Sequence, residues 1–132
     1  MKSSWLYFSK DELSCHGSCS RCAGTDNNMN AEFMNKVVKL RKLCNFPFKV
    51  RSGYRCPDRN KEVSKTGLNG PHTTGKAIDV LISGPEAYLL VLLAMELNFT
   101  GVGIHQKGPV ANRHIHLDSG IPGKKRPKIW TY

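Results

Sequence analysis

Between Ala31 and Cys44 the apolar residues Phe33, Met34, Val37, Val38, Leu40, Leu43 and Cys44 recur at helical spacing, with lysines and an arginine on the other face. This pattern predicts an amphipathic helix whose stripe faces a core. A capping-box pattern, Ser9-Lys10-Asp11-Glu12, predicts a short helix that stops before Gly17, and the Asn-, Asp- and Gly-rich stretch Gly24–Asn30 predicts a loop. A second capping box, Ser83-Gly84-Pro85-Glu86, opens another helix running to about Leu97, with proline in the first turn where its missing N–H is not needed. Phe48-Lys49-Val50-Arg51 alternates as a strand does and ends in a turn at Ser52-Gly53, and Lys76–Ile82 predicts a mostly buried strand. Between them Tyr54–Gly75, with its prolines and glycines, predicts an ordered loop carrying one short helix near Asn60–Lys65. Gly101–His105 and His114–Asp118 predict a hairpin joined by Gln106–Arg113. The Lys- and Pro-rich segment Gly120–Tyr132 ends in Ile129-Trp130-Thr131-Tyr132, aromatics that suggest a terminus pinned to the body. Segregated helices and hairpin strands predict an α+β fold, a small antiparallel sheet packed against two main helices.

Composition narrows the classes. A length of 132 residues and 39% hydrophobic content fit one domain over 1–132 with a single core, expected to be a monomer. Twenty Lys+Arg against ten Asp+Glu give a net charge of +10, which favours an anionic partner such as a cell-wall or outer-membrane polymer. Nucleic acid is not expected, because the basic residues are scattered without a basic helix or a stacking motif. Met1–Phe8 lacks the apolar run of a signal peptide, and Tyr88–Met95, the longest apolar run, is too short for a transmembrane segment, so synthesis in the cytoplasm is expected.

Five cysteines, an odd number, exclude a complete disulfide framework and suggest a reducing compartment. Cys15, Cys19 and Cys22, with His16 between, have spacing that serves a structural zinc if Cys44 or Cys56 supplies a fourth ligand. The second pair of a CxxC...CxxC pattern is missing, so reduced, partly buried thiols are the expectation.

The chemistry gathers on strands. Asp79 sits inside an apolar strand, sharing a face with Ala77 while Ile78, Val80 and Ile82 take the other. Burying a carboxylate there costs several kcal/mol unless it is paired or bound to a cation. His114, His116 and Asp118 alternate with Ile115 and Leu117, and so point to one face at about 6.6 Å per two-residue step. His72 lies before a turn at Gly75 that can return its imidazole over the Asp79 strand. Two imidazoles and one carboxylate with a fourth position open make a catalytic zinc arrangement. The plainer alternative is that Asp79 caps or pairs with an arginine and that the histidines are a polar strand face.

The ordered string Ser52-Gly53-Tyr54-Arg55, Asn60, His72-x-x-Gly75-x-Ala77-x-Asp79, Gly101-x-Gly103-Ile104, His116-Leu117-Asp118 and Arg126-Pro127...Trp130-x-Tyr132 resembles the zinc D-alanyl-D-alanine carboxypeptidase family. That family includes bacterial carboxypeptidases and phage endolysins and has a fold related to the hedgehog signalling domain. The resemblance implies one catalytic Zn2+ on His72, Asp79 and His116, with Arg55 holding the substrate or its developing oxyanion. It implies a peptidoglycan stem peptide as substrate and, for a phage endolysin, action at the bacterial cell wall after release from the host cytoplasm. Two positions depart from it: Gly70 stands where many members carry Ser, and Arg113 where several branches carry a Glu or Asp general base. His114 is then the first choice for the base, Asp118 the second and His105 the third, with orientation of a ligand imidazole as the other role for Asp118. The implied reaction is attack of zinc-activated water on the scissile amide. Loss of the base at Arg113 leaves a non-enzymatic zinc-fold binding module as the competing expectation. The bond cleaved, whether D-Ala-D-Ala, a diaminopimelate cross-link or L-Ala-D-Glu, is not fixed by these residues.

Overall fold

The computed structural model describes residues 5–15 and 28–132. Ser9 Oγ accepts the Glu12 N–H at 3.2 Å and the Glu12 carboxylate accepts the Ser9 N–H at 2.8 Å. The capping box therefore forms, and it starts α1, a single turn over Lys10–Leu13. The helix α2 spans Ala31–Cys44, the predicted range; Asn30 Oδ1 caps it by accepting the Phe33 N–H at 2.9 Å, and Asn45 ends it in the left-handed conformation. Strand β1 is Lys49–Ser52.

The loop that follows is more helical than its sequence suggests. Pro57, pre-set for the first helical position, starts α3 (Pro57–Val63) three residues ahead of the predicted Asn60. Short 3-10 turns cover Gly67–Asn69 and Pro71–Thr74, and Gly75 at φ 74° turns the chain into β2, Ala77–Leu81. Next comes α4, Gly84–Glu96, whose Ser83 cap makes no side-chain hydrogen bond, so the second capping box does not form. Among the described residues no helix is long and apolar enough to cross a membrane.

Strands β3 (Gly101–His105) and β4 (His114–Asp118) form the expected antiparallel hairpin, with His105 opposite His114 and Gly103 opposite His116. The sheet itself departs from expectation. Lys128–Thr131 forms a fifth strand, β5, which runs parallel to β3 with Gly103 beside Trp130, so the sheet is mixed rather than antiparallel. The order is β1-β2-β4-β3-β5. The fold is α+β, as expected.

One face of the sheet makes the core. Ile78, Val80, Val102, Ile115 and Leu117 cluster with Met34, Val37 and Leu40 of α2 and with Leu90 and Ala94 of α4. Burying each large aliphatic side chain contributes about 1.5–3 kcal/mol. Every residue of β4 is buried, so its opposite face is covered too, and that face carries His114, His116 and Asp118.

Candidate metal centre

The pairing of β2 with β4 puts Asp79 opposite His116 and Ala77 opposite Asp118. Because side chains alternate along strands, the face that carries Asp79 on β2 is the one that carries His114, His116 and Asp118 on β4. His72 reaches the same spot from the 3-10 turn before β2. Its Nε2 lies 3.3 Å from Asp79 Oδ1, and His116 Nδ1 lies 2.9 Å from that oxygen. Ligand atoms about 2.0–2.1 Å from a tetrahedral zinc stand about 3.3 Å apart, so these separations suit a metal at the centre. One donor atom each from His72, Asp79 and His116 lies within 4.8 Å of the others, and all three residues are buried.

The outer nitrogens are held. His72 Nδ1 donates to the Gly53 carbonyl at 2.7 Å, and His116 Nε2 to Asp118 Oδ2 at 2.7 Å. Asp118, fully buried, is gripped in turn by Arg126 through Nε and Nη2 at 2.8 and 2.7 Å. Such contacts fix the tautomer and orientation of a ligating imidazole. With both carboxylate oxygens committed, Asp118 is placed to orient His116. Asp118→Asn should lower metal affinity about 10–100-fold while leaving the ligands in place. Chelator competition, with thermal unfolding as the control for fold, checks this.

Glycines make room for this shell. A Cβ at Gly103 would lie 2.7 Å from the Trp130 indole, and one at Gly101 would strike the Asp118 carboxylate. The absent side chains let Trp130 pack on His116, ring centroids 5.2 Å apart, and let Arg126 reach Asp118. Gly53 is needed for a similar reason: the Leu13 carbonyl stands 2.8 Å from where its Cβ would be. At Gly70, where the family resemblance led to the expectation of Ser, a Cβ would collide with the Thr66 hydroxyl and lie 2.6 Å from the amide of buried Asn60. Asn60 Nδ2 also donates to Thr66 Oγ1 and the Gly67 carbonyl, bracing the loop that carries His72.

Burial opposes charge on His116, but the Asp118 and Asp79 carboxylates on either side override it and raise its pKa to about 9. Burial likewise opposes the Asp79 carboxylate, and the His72 and His116 imidazoles hold its pKa well below the usual range. Asp79 is thus ionised at any neutral pH, while a metal must displace a proton from His116. Affinity should therefore rise about tenfold per pH unit towards pH 9 and level off above it. In the metal-free protein the His116 contribution runs the other way: its folded pKa is raised, so that stability is full below about pH 6.5 and is lost as pH climbs through about 9. Competition titrations from pH 6.5 to 9.5, and unfolding of the metal-free protein over the same range, read both slopes.

His114 lies one strand step from His116 and is 7% exposed. Burial lowers its pKa, so the ring is neutral at pH 7. Arg51 Nη1, which can only donate, lies 3.0 Å from Nδ1, and the Asn112 carbonyl, which can only accept, lies 3.3 Å from the same atom. The first contact suits the tautomer with its proton on Nε2, the second the tautomer that leaves Nε2 free. His105 stacks on His114 at 4.9 Å, and Tyr132 packs against both rings.

Arg55 is partly buried beside the site, its Nε without a partner among the described residues, and its backbone N–H donates to the His72 carbonyl at 3.0 Å. Arg113 is spent on its own loop, donating from Nε to the Gly108 carbonyl at 3.1 Å. Buried Cys15 accepts the Cys56 N–H at 3.2 Å, whereas Cys44 belongs to the hydrophobic core, where burial raises its thiol to about 11. The expectation for Cys19 and Cys22, and with it the possible second metal, lies outside the described residues.

The family string includes Arg126 and Trp130 without a role for either; the sequence signal for their packing is Gly101-x-Gly103, two glycines on one strand face where a strand normally packs side chains. No curated protein matches the chain. The Peptidase M15 profile matches residues 6–118, a span that holds all three candidate ligands and ends at Asp118, before Arg126 and β5. A match over most of the chain, together with the buried His-Asp-His group, makes this a member of the Peptidase M15 family of zinc-dependent peptidases.

Proposed function

We propose that the protein is a zinc metallopeptidase that hydrolyses the peptide part of bacterial peptidoglycan, as a carboxypeptidase or endopeptidase of the phage endolysin type. The observation that carries the reading is the buried His72, Asp79 and His116 set with its outer nitrogens already tied down. Its donors, two imidazoles and one carboxylate, are those of catalytic zinc sites, which leave a position for water or substrate. When bound, zinc supplies a Lewis acid that activates water and polarises the scissile carbonyl at neutral pH.

The chain's own residues do the rest. Arg55, tied through its backbone N–H to the His72 carbonyl and with its buried Nε unpaired among the described residues, offers its Nε–H to the developing oxyanion. His114 takes a proton from water at Nε2 in the tautomer whose Nδ1–H rests on the Asn112 carbonyl, then returns it to the leaving amine. Asp118 and Arg126 hold His116 in place. The +10 charge would keep the enzyme on an anionic wall or outer-membrane polymer, where it acts after release from the cytoplasm in which it is made.

A second reading, a zinc-fold module that binds the wall without cutting it, draws on Arg113 standing bound to Gly108 where relatives place a base. Incubation with isolated peptidoglycan, with and without a chelator, and mass spectrometry of released fragments separates the two. Chelator-sensitive release of stem-peptide fragments is the expected result and names the bond. No release from walls of several chemotypes by protein with zinc confirmed bound would leave the binding module.

A further inference from the structure

Beside the metal centre lies a cleft of about 390 Å³ whose lining, Arg55 apart, the mechanism above does not use. Its lining includes Asp11 and Glu12 from α1, Arg51 and Ser52 from β1, and Arg55 from the segment that follows. The geometry joins this cleft to the site. Arg51 reaches His114 at 3.0 Å, and the Arg55 backbone N–H donates to the carbonyl of His72 at 3.0 Å. The α1 wall is fixed as firmly: the Tyr54 N–H donates to the Leu13 carbonyl at 3.0 Å, and Gly53 has no room for a Cβ against the same carbonyl.

The charges in this cleft are balanced. Two guanidiniums face a lining that also holds two carboxylates, inside a protein whose net charge is +10. Among the described residues no ion pair or hydrogen bond joins either carboxylate to either guanidinium. Glu12 is occupied by the Ser9 N–H, which leaves Asp11 as the available acid. Arg55 Nε, buried and without a partner among the described residues, serves the scissile group in the mechanism above, which leaves exposed Arg51 as the guanidinium available to a substrate carboxylate in the cleft. A polyanion is disfavoured by the carboxylates and a simple cation by the guanidiniums. A ligand with both charges satisfies each wall.

We propose that this cleft is a specificity subsite for a substrate residue that carries a free ammonium and a free carboxylate, with Arg51 binding the carboxylate and Asp11 the ammonium. The inference rests on the peptidoglycan reading for its substrate and goes beyond it by naming the residue recognised. Binding Arg51 to a substrate carboxylate also draws it from His114 Nδ1, which leaves that ring the tautomer with Nε2 free.

The test measures equilibrium binding to the zinc-loaded protein by calorimetry, using three dipeptides γ-D-Glu-X, which contain none of the bonds open to cleavage. X is 2,6-diaminopimelate, with both groups; lysine, with the ammonium alone; or 2-aminopimelate, with the carboxylate alone. Diaminopimelate should bind about tenfold or more tighter than either of the others, the scale expected for losing one charged contact. Asp11→Asn should erase its advantage over 2-aminopimelate, and Arg51→Gln its advantage over lysine. Equal binding of all three peptides by the unaltered protein, or an equal loss for all three in Asp11→Asn, would overturn the inference. The peptidoglycan digest separates the two failures: cleavage with equal probe binding removes the subsite alone, and discrimination among probes without cleavage removes the peptidase reading alone.

Discussion

His116→Ala is expected to abolish both metal binding and hydrolysis while leaving a folded protein. In the proposed centre His116 would supply one of three donor atoms, and its removal would leave His72 and Asp79, too few to hold zinc in a site that also keeps an open position. The fold should survive because the core lies on the other sheet face, where Ile115 and Leu117 pack against α2 and α4. Asp118 keeps both of its contacts to Arg126, so no buried charge is stranded on that side. The cost is the cavity beside Trp130 together with the lost contacts to Asp79 and Asp118, about 3–5 kcal/mol on the scale of breaking a buried charge pair. Metal analysis after gel filtration, cleavage of peptidoglycan and a denaturant melt give the three readouts. Zinc retained at one per chain in this variant would show that the metal sits elsewhere.

How much of this centre was legible in the sequence follows from the range of each interaction. A strand's period of two fixes which side chains share a face, so Asp79 and the His114, His116, Asp118 row could be placed before any pairing was known. The α2 boundaries were equally local, set by its apolar stripe and by Asn30 and Asn45 at its ends. The fifth strand was not. Lys128–Thr131 is mostly exposed, follows a Lys- and Pro-rich stretch, and shows no buried alternation; it is held by pairing to β3 and by the slot above Gly103. The grip of Arg126 on Asp118 depends on that same docking, so its role was hidden although the residue had been singled out. Ser83 carried the right local signal and still makes no cap, because propensity at a helix end is a weak prior that the surroundings override. Arg113 shows the opposite case: its departure from the acid that the family resemblance leads one to expect is legible in the sequence, but its use in bracing Gly108 is not.

His114→Ala tests the other half of the site, and it should keep the metal while losing most of the rate. His114 is not among the three donors, and its ring is tied to Arg51 or Asn112 on one side and stacked on His105 on the other. Removing a positioned proton carrier costs about 10²–10⁴ in rate. With the imidazole gone, Arg51 loses its acceptor, and water takes that place at little cost because Arg51 is exposed. The loss should therefore fall on kcat rather than on metal content or stability. The pH profile sharpens the test: burial lowers the His114 pKa, so the base form persists below the ordinary histidine range, and the acid limb of the unaltered enzyme should lie below pH 6.5. That limb should vanish in the variant, leaving a slow, flatter profile. Measured together, zinc content and the pH dependence of kcat assign the roles. Loss of zinc would make His114 a ligand, and an unchanged rate would move the proton to His105, which stacks on the same ring.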